Sequence, residues 1–142
     1  MENAKQTVRL SRSDYETILN EASSKLPEEA CGLLAGEDVD GVRVIKKVYV
    51  LENTDHSPEH FSLDPKEQLA AIKDMRQNGL LPLGNWHSHP ATPSRPSEED
   101  KRLAFDKNAT YFILSLAEKE PVINAFHIED GESRTEKLEI TE

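Results

Sequence analysis

The sequence has a single cysteine, few aromatic residues and no long hydrophobic run. Cys31 stands alone among 142 residues, which excludes an internal disulfide framework and a zinc site built from several cysteines. The longest apolar stretches, such as Tyr111 to Leu114, are far too short to span a bilayer. Basic residues are also in the minority, because 17 Lys and Arg against 27 Asp and Glu give a net charge of −10. This balance disfavours nucleic acid and anionic membrane surfaces as partners, since both require clustered Lys and Arg.

The length and the distribution of apolar residues indicate a folded, soluble chain. A length of 142 residues predicts one domain, spanning residues 1–142, that can bury a core without disulfides. The hydrophobic residues cluster in segments, which is not the signature of disorder. The first six residues lack a basic region followed by an apolar run, so they do not resemble a signal peptide. We therefore expect a cytoplasmic protein.

The hydrophobic pattern predicts strands and helices in a mixed order. Runs rich in β-branched or buried apolar residues predict seven strands, at residues 7–10, 30–35, 42–51, 83–89, 110–116, 122–128 and 135–140. Helical spacing and capping residues predict three helices, which begin after Ser13, Asp64 and Ser97 and end near residues 26, 78 and 106. Glu16, three residues after Ser13, suggests a capping box at the first helix. These elements together predict an α/β domain with a mixed β-sheet and flanking helices.

The segment from His87 to Asp100 carries the clearest chemical signal. Alternate residues of a strand share a face, so His87 and His89 point the same way and can bind one metal ion. Three prolines in the seven residues from Pro90 to Pro96 predict a rigid loop, which can fold the next helical turn back over the end of the strand. Asp100 lies in that turn. Two histidines and one carboxylate leave a fourth position for water, as in catalytic zinc sites.

Two further residues complete a candidate catalytic set. Glu29, just before a buried apolar strand, is a candidate general base that takes a proton from water and passes it to a leaving amine. Ser97 can donate a hydrogen bond to the oxyanion of a tetrahedral intermediate. Gly32, three residues after Glu29, permits close approach of a neighbouring strand.

Plainer interpretations of the same residues remain open at this point. Ser97 and Asp100 also form a helix-capping pattern, which is compatible with the metal role because a cap fixes the turn that aims Asp100. Cys31 is expected to be a small buried hydrophobe. His56 and His60 are assigned to a loop, because Pro58 between them breaks a regular helix, and they are candidates to line a substrate groove. A nucleoside deaminase is excluded because it needs two close cysteines, and a zincin because H-E-x-x-H is absent.

The residues resemble the JAMM motif of the MPN-domain metalloproteases. That motif is a glutamate, then His-x-His, seven residues, a serine, two residues and an aspartate. Here these positions are Glu29, His87, His89, Ser97 and Asp100, with no gap or substitution. The flanks around residues 27–36, 64–69 and 111–116 are also similar to the stand-alone bacterial and archaeal members, so the resemblance covers nearly the whole chain.

The resemblance implies a fold, an activity and a role for each motif residue. The fold is an MPN/JAMM domain, which is cytidine-deaminase-like. The activity is a zinc-dependent peptidase or isopeptidase that acts next to the C-terminal glycine of ubiquitin-like proteins, with sulfur-carrier proteins as the expected bacterial substrates. Glu29 is the general base, Ser97 stabilises the oxyanion, and one zinc ion per chain is held by His87, His89 and Asp100. The alternative is a non-catalytic MPN-type scaffold or binding module, although such domains typically lose ligands that are all present here.

Overall fold

A computed structural model of the protein describes residues 6–142. Within this range it contains seven strands and three helices, in the order β1 Thr7–Ser11, α1 Arg12–Ser24, β2 Cys31–Val39, β3 Val42–Leu51, α2 Pro65–Gln77, β4 Leu81–His89, α3 Glu98–Arg102, β5 Thr110–Ser115, β6 Val122–Glu129 and β7 Glu132–Thr141. None of these helices combines the length and the apolar character that crossing a membrane requires. Most of the segment assessed as lacking a signal peptide, residues 1–5, lies outside the described residues.

The strands close into a barrel in the order β1–β3–β2–β4–β5–β6–β7, with β7 returning to β1. Parallel pairing joins β1 to both β3 and β7 and joins β4 to β5, whereas the other neighbours are antiparallel. The predicted mixed sheet with flanking helices is therefore confirmed. Closure into a barrel was not part of the prediction. Closure gives every described strand a neighbour on each side, although β1 pairs with β3 only from Val42 to Val44.

Buried apolar residues on both faces of the central strands build the core. Leu34 of β2 lies in the main cluster with Trp86 of β4 and Phe112 of β5. Its neighbour Ala35 faces the opposite way and packs against Ala71 of α2. Such two-sided burial explains why the sequence of β2 begins as a continuous apolar run rather than an alternating pattern.

Gly32 of β2 allows the neighbouring strands to approach closely, as predicted. A Cβ atom at this position would collide with the backbone carbonyl of Tyr49 on β3 and with the indole of Trp86 on β4. The Trp86 indole N–H uses this space to donate a hydrogen bond of 3.0 Å to the same Tyr49 carbonyl. The glycine therefore permits close packing of β2 against β3 and β4. It lies immediately next to Cys31, which pairs with His87.

The start of α1 differs from the prediction. Ser11 is the N-cap, with an extended backbone and a hydroxyl that accepts a hydrogen bond from the Asp14 N–H at 3.0 Å. Ser13 lies inside the helix, so the predicted capping box of Ser13 with Glu16 is wrong. The prediction placed the helix start two residues late because Ser11 also ends β1, and strand and helix meet there without a loop.

The other helix starts were predicted correctly, but the end of α3 was not. Asp64 caps α2, with Pro65 in its first turn, and Ser97 caps α3. The last helix ends at Arg102 rather than near residue 106. The side chain of Asp106 accepts a hydrogen bond from the Asn108 N–H at 2.9 Å, and this local turn competes with continued helix.

Candidate metal centre and active site

Three ligand-type atoms converge at the end of β4. The Nε2 atoms of His87 and His89 lie 3.1 Å apart, and each lies 3.2 Å from the same Oδ2 atom of Asp100. All three residues are well shielded, with the two histidines buried and Asp100 half-buried. The strand therefore presents both histidines on one face, and the loop after it returns Asp100 to them, as the sequence predicted.

The spacing of these atoms fits a metal ion. Two ligands of a tetrahedral zinc ion with bonds of about 2.0 Å lie about 3.3 Å apart, close to the observed separations. Imidazole nitrogen and carboxylate oxygen are ligands that zinc accepts. Three protein atoms leave a fourth tetrahedral position open. The site thus has the donor set and spacing that a catalytic metal centre requires.

The proline-rich loop orients His89. The Nδ1 atom of His89 donates a hydrogen bond of 2.9 Å to the Pro93 carbonyl. Because a carbonyl can only accept, Nδ1 carries the proton and Nε2 keeps its lone pair for the cluster. The Ser94 hydroxyl anchors this loop by donating to the Ile113 carbonyl of β5 at 2.7 Å. The rigid loop therefore sets the tautomer as well as the path of the chain.

An aromatic ring packs against the imidazole of His87. Its imidazole stacks on Phe61, with ring centroids 4.7 Å apart and an interplanar angle of 28°. The Nδ1 atom of His87 is buried and has no hydrogen-bond partner among the described residues. Burial lowers the pKa of His87, and the neighbouring Asp100 does not offset this effect. The ring is therefore neutral at physiological pH, which is the form that binds a metal.

Asp100 is fixed by the cap of α3. Its Oδ2 atom accepts a hydrogen bond from the Ser97 N–H at 2.9 Å, while the Ser97 hydroxyl accepts from the Asp100 N–H at 3.0 Å. This reciprocal pair is a capping box. Burial acts to raise the pKa of Asp100, but its close contacts with the imidazoles of His87 and His89 and the hydrogen bond from the Ser97 N–H outweigh it and hold the pKa below its usual range. The same Asp100 carboxylate therefore caps the helix and faces the two histidines.

Glu29 lies beside this cluster as a buried acid. It is only 4% exposed, and its Oε1 atom has no hydrogen-bond partner among residues 6–142. Burial, and then the negative charge of Asp100, raise the pKa of Glu29 to about 9. A buried carboxyl group with an unused oxygen, close enough to Asp100 to be affected by its charge, is suited to exchanging a proton with a bound water or amine.

Several residues that support the site could not be identified from the sequence. Ser88, between the two histidines, faces the other way, and its hydroxyl accepts a hydrogen bond of 2.8 Å from the Ala30 N–H. This bond ties the segment that carries Glu29 to β4. The alternation of the strand could have placed the Ser88 side chain opposite the histidines, but not its partner. Phe61 and the Pro93 carbonyl act only through the tertiary fold, and no sequence pattern marks them.

A cavity of about 310 Å³ opens beside His87 and Asp100. Its apolar wall includes Phe61, Leu103, Phe105, Tyr111, Ile113 and Ile128. His60 also lines it, as expected for a groove residue, and its Nδ1 atom lies 3.0 Å from Glu99 of α3. His56 is in the loop, as predicted, but does not line this cavity and instead pairs with Glu28 and Glu52. Cys31 is buried, and burial raises its pKa to about 12, which makes the thiol unreactive.

Three ligand-type side chains beside a buried carboxyl group form the kind of site that metal-dependent hydrolases use. Residues 11–129 match the family described as prokaryotic homologs of the JAB domain, so the chain belongs to that family. The resemblance to JAMM/MPN proteins and the predicted fold class are thereby confirmed.

Individual relatives agree with this family. The CysO-cysteine peptidase of Mycobacterium tuberculosis is 32% identical over 117 residues, which are 82% of this chain and 79% of the relative. A desampylase of Pyrococcus furiosus is 38% identical over 72 residues, which are 51% of this chain and 49% of the relative. The solution structure of a protein from Desulfitobacterium hafniense is 51% identical, covers 95% of this chain and 93% of its own, and has a TM-score of 0.88. The predicted enzyme class, a peptidase of the JAB type, is confirmed by these relatives.

Proposed function

We propose that the chain is a zinc-dependent peptidase or isopeptidase that hydrolyses the bond after the C-terminal glycine of a ubiquitin-like or sulfur-carrier protein. The convergence of His87, His89 and Asp100 beside the buried Glu29 is the observation that carries this proposal. The relatives named CysO-cysteine peptidase and desampylase support the substrate class. Residues 1–142 act as one catalytic domain in this proposal.

His87, His89 and Asp100 would hold one zinc ion, which when bound activates water and polarises the scissile carbonyl. The neutral imidazole of His87 and the lone pair that His89 directs at the cluster support this ligand set. Asp100 supplies a negative charge that balances part of the charge of the ion. Its low pKa keeps the carboxylate ionised at any physiological pH.

Glu29 and Ser97 are the proposed catalytic side chains. Glu29, whose carboxylate form the positive charge of a bound ion would favour, accepts a proton from the attacking water and delivers it to the leaving amine. This role needs a carboxyl group free of other partners. The free Oε1 atom of Glu29 meets that need. The Ser97 hydroxyl accepts from the Asp100 N–H, which leaves its own O–H free to donate to a developing oxyanion.

The cavity beside His87 and Asp100 supports binding of an extended substrate tail. It is bounded by apolar side chains on β5 and β6 and by the loop that carries Phe61. A flexible C-terminal tail can enter such a cavity where a folded protein cannot. Recognition then depends on the tail and on the residues close to the scissile bond.

The test uses a panel of purified ubiquitin-like sulfur-carrier proteins, each extended by a short peptide after its C-terminal glycine. We expect the wild-type chain to release the extension, chelator to abolish release and zinc to restore it, as followed by mass spectrometry. Glu29→Gln should lower kcat by about 10²-fold or more, because proton transfer by a positioned group contributes about 10²–10⁴-fold. Its zinc content should stay near one ion per chain.

A matched variant separates metal binding from catalysis. Asp100→Ala removes a ligand, so its zinc content by elemental mass spectrometry should fall well below that of the wild type and of Glu29→Gln. Little zinc in the wild-type chain after reconstitution, or full turnover by the Glu29→Gln variant, would refute the proposal. A folded chain with zinc but without turnover on any member of the panel would favour the scaffold alternative.

A further inference from the structure

Asn53 occupies an unusual position in the loop that follows β3. It is only 6% exposed, whereas most of its neighbours between Glu52 and Ser62 are exposed or half-buried. The loop runs from the end of β3, past Glu29, to the Phe61 ring that stacks on His87. Burying a polar side chain is unfavourable unless hydrogen bonds replace those that it made to water.

The carboxamide of Asn53 makes four hydrogen bonds. Its Nδ2 atom donates to the carbonyl of Glu29 at 3.1 Å and to the carbonyl of His60 at 3.0 Å. Its Oδ1 atom accepts from the N–H of Asp55 at 3.0 Å and from the N–H of Ser62 at 3.2 Å. Two carbonyls on one side and two N–H groups on the other fix the orientation of the amide.

The backbone of the proposed base, Glu29, is hydrogen-bonded to this loop through both its carbonyl and its N–H. Asn53 holds the carbonyl of Glu29, and the Glu29 N–H donates a hydrogen bond of 2.8 Å to the carbonyl of Ser57 in the same loop. The other Nδ2 bond holds the carbonyl of His60, next to Phe61. A single side chain thus connects the backbone of Glu29 to His60 and Ser62, which flank the Phe61 that covers His87.

We propose that Asn53 is a positioning residue that sets the placement of Glu29 and holds the Phe61 loop over the metal site. It touches neither the metal ligands nor the cavity, and it acts through Glu29 and through the loop. The catalytic meaning of this role rests on the proposed function of Glu29. The physical connection between Asn53, Glu29 and the loop does not depend on it.

Two substitutions test the role. Asn53→Ala removes all four hydrogen bonds. Asn53→Asp keeps the acceptor for Asp55 and Ser62 but places an oxygen against the two carbonyls, so it breaks only the connection to Glu29 and His60. If Asn53→Ala fails to fold, the isosteric Asn53→Asp still answers the question. Thr54→Ala is the matched control, because Thr54 donates to the Ser62 carbonyl in the same loop and has no bond to Glu29.

We expect both Asn53 variants to lower kcat by about tenfold or more with KM within about twofold, since small displacements of catalytic groups have effects of this size. Zinc per chain should stay unchanged, because the ligands lie on β4 and α3. Hydrogen exchange at the Glu29 N–H should accelerate by about tenfold or more, with exchange in β4 and β5 unaltered. Thr54→Ala should retain kcat and Glu29 exchange within about twofold of wild type.

The readouts separate this inference from the proposed function. The positioning role is overturned if the Glu29 N–H exchanges at the wild-type rate in both Asn53 variants. It is also overturned if exchange is faster but kcat stays at the wild-type value. An equal loss of kcat in Thr54→Ala would also overturn it, because any loosening of the loop would then suffice. If the wild-type chain shows no activity on the substrate panel, the proposed function is contradicted. The exchange measurement then still decides whether Asn53 holds Glu29.

Discussion

At the scale of single residues, the site depends on how burial changes proton affinity. Burial lowers the pKa of His87 and raises that of Glu29, so both groups are neutral in the metal-free protein at pH 7. The main cause of both pKa shifts is the same, namely the loss of water around a charge. Both residue types were evident in the sequence, but their burial was not.

The raised pKa of Glu29 predicts a pH-dependent stability of the zinc-free chain. A glutamate titrates near 4.5 in the unfolded state but near 9 in the fold. Between these values the folded chain holds a proton that the unfolded chain has released, so rising pH favours unfolding. From pH 7 to 8.5 the wild-type chain should therefore lose about 1–2 kcal/mol relative to Glu29→Gln. His87, whose pKa is lowered, titrates below this window.

Urea unfolding in the presence of chelator at pH 7, 7.75 and 8.5 measures this difference. The Glu29→Gln variant is the reference for the wild-type chain, because glutamine does not titrate and is nearly isosteric with glutamate. Parallel stability curves for the two chains across this range would show that Glu29 is not held in its protonated form.

At the scale of elements, strand packing and helix capping create the site. β4 sets the common face of His87 and His89, and the N-terminus of α3 sets Asp100 through the capping box with Ser97. The strand alternation and the Ser97 cap were both readable from the sequence, because each depends on residues close in the chain. The end of α3 was not, because the turn at Asp106 competes with helix in a way that propensity alone does not rank.

Gly32→Ala should damage the packing of β2 against its neighbours. The added methyl group would meet the backbone carbonyl of Tyr49 in the neighbouring strand and the fully buried indole of Trp86. We expect a loss of about 2 kcal/mol or more in the free energy of unfolding, at the upper part of the range for overpacked cores. Chemical denaturation of the variant and the wild type at one pH measures it.

Gly41→Asn is the control for this experiment. Gly41 has φ +81° in the β2–β3 turn, and a Cβ atom added there would meet no other atom within 4 Å. Asparagine tolerates this left-handed backbone. The cost of the substitution should stay below about 1 kcal/mol, since asparagine is among the residues that adopt this conformation most readily. Equal losses for the two variants would mean that the close approach at Gly32 does not limit stability.

At the scale of the whole molecule, closure of the barrel joins the two ends of the described chain. β7 pairs in parallel with β1 over Thr7 to Ser11, and α1 follows β1 directly with Ile18 and Ala22 in the main core. Such contacts between the first and last strands are absent from any local pattern. The sequence therefore predicted the strands and their mixed order, but not that the sheet closes.

Removing β7 should prevent folding. A chain that stops at Gly131 leaves β1 and β6 each without one of their two partner strands and removes Leu138 and Ile140 from the core. We expect it to lack a cooperative unfolding transition by circular dichroism. A chain that lacks only Glu142 loses one exposed ion pair with Arg12, which is worth less than about 1 kcal/mol. Cooperative unfolding of the chain that stops at Gly131 would show that closure is dispensable.

The sequence by itself determined the features that depend on neighbours along the chain. The alternation of β4, the proline-rich loop and the Ser97 cap indicated the candidate ligands His87, His89 and Asp100, because strand period and capping act over a few residues. Only the tertiary structure decided which remote groups surround them. Phe61 on His87, the Pro93 carbonyl on His89 and the contacts of Asn53 with Glu29 arise where distant segments pack, and burial by those segments sets the proton affinities of the site.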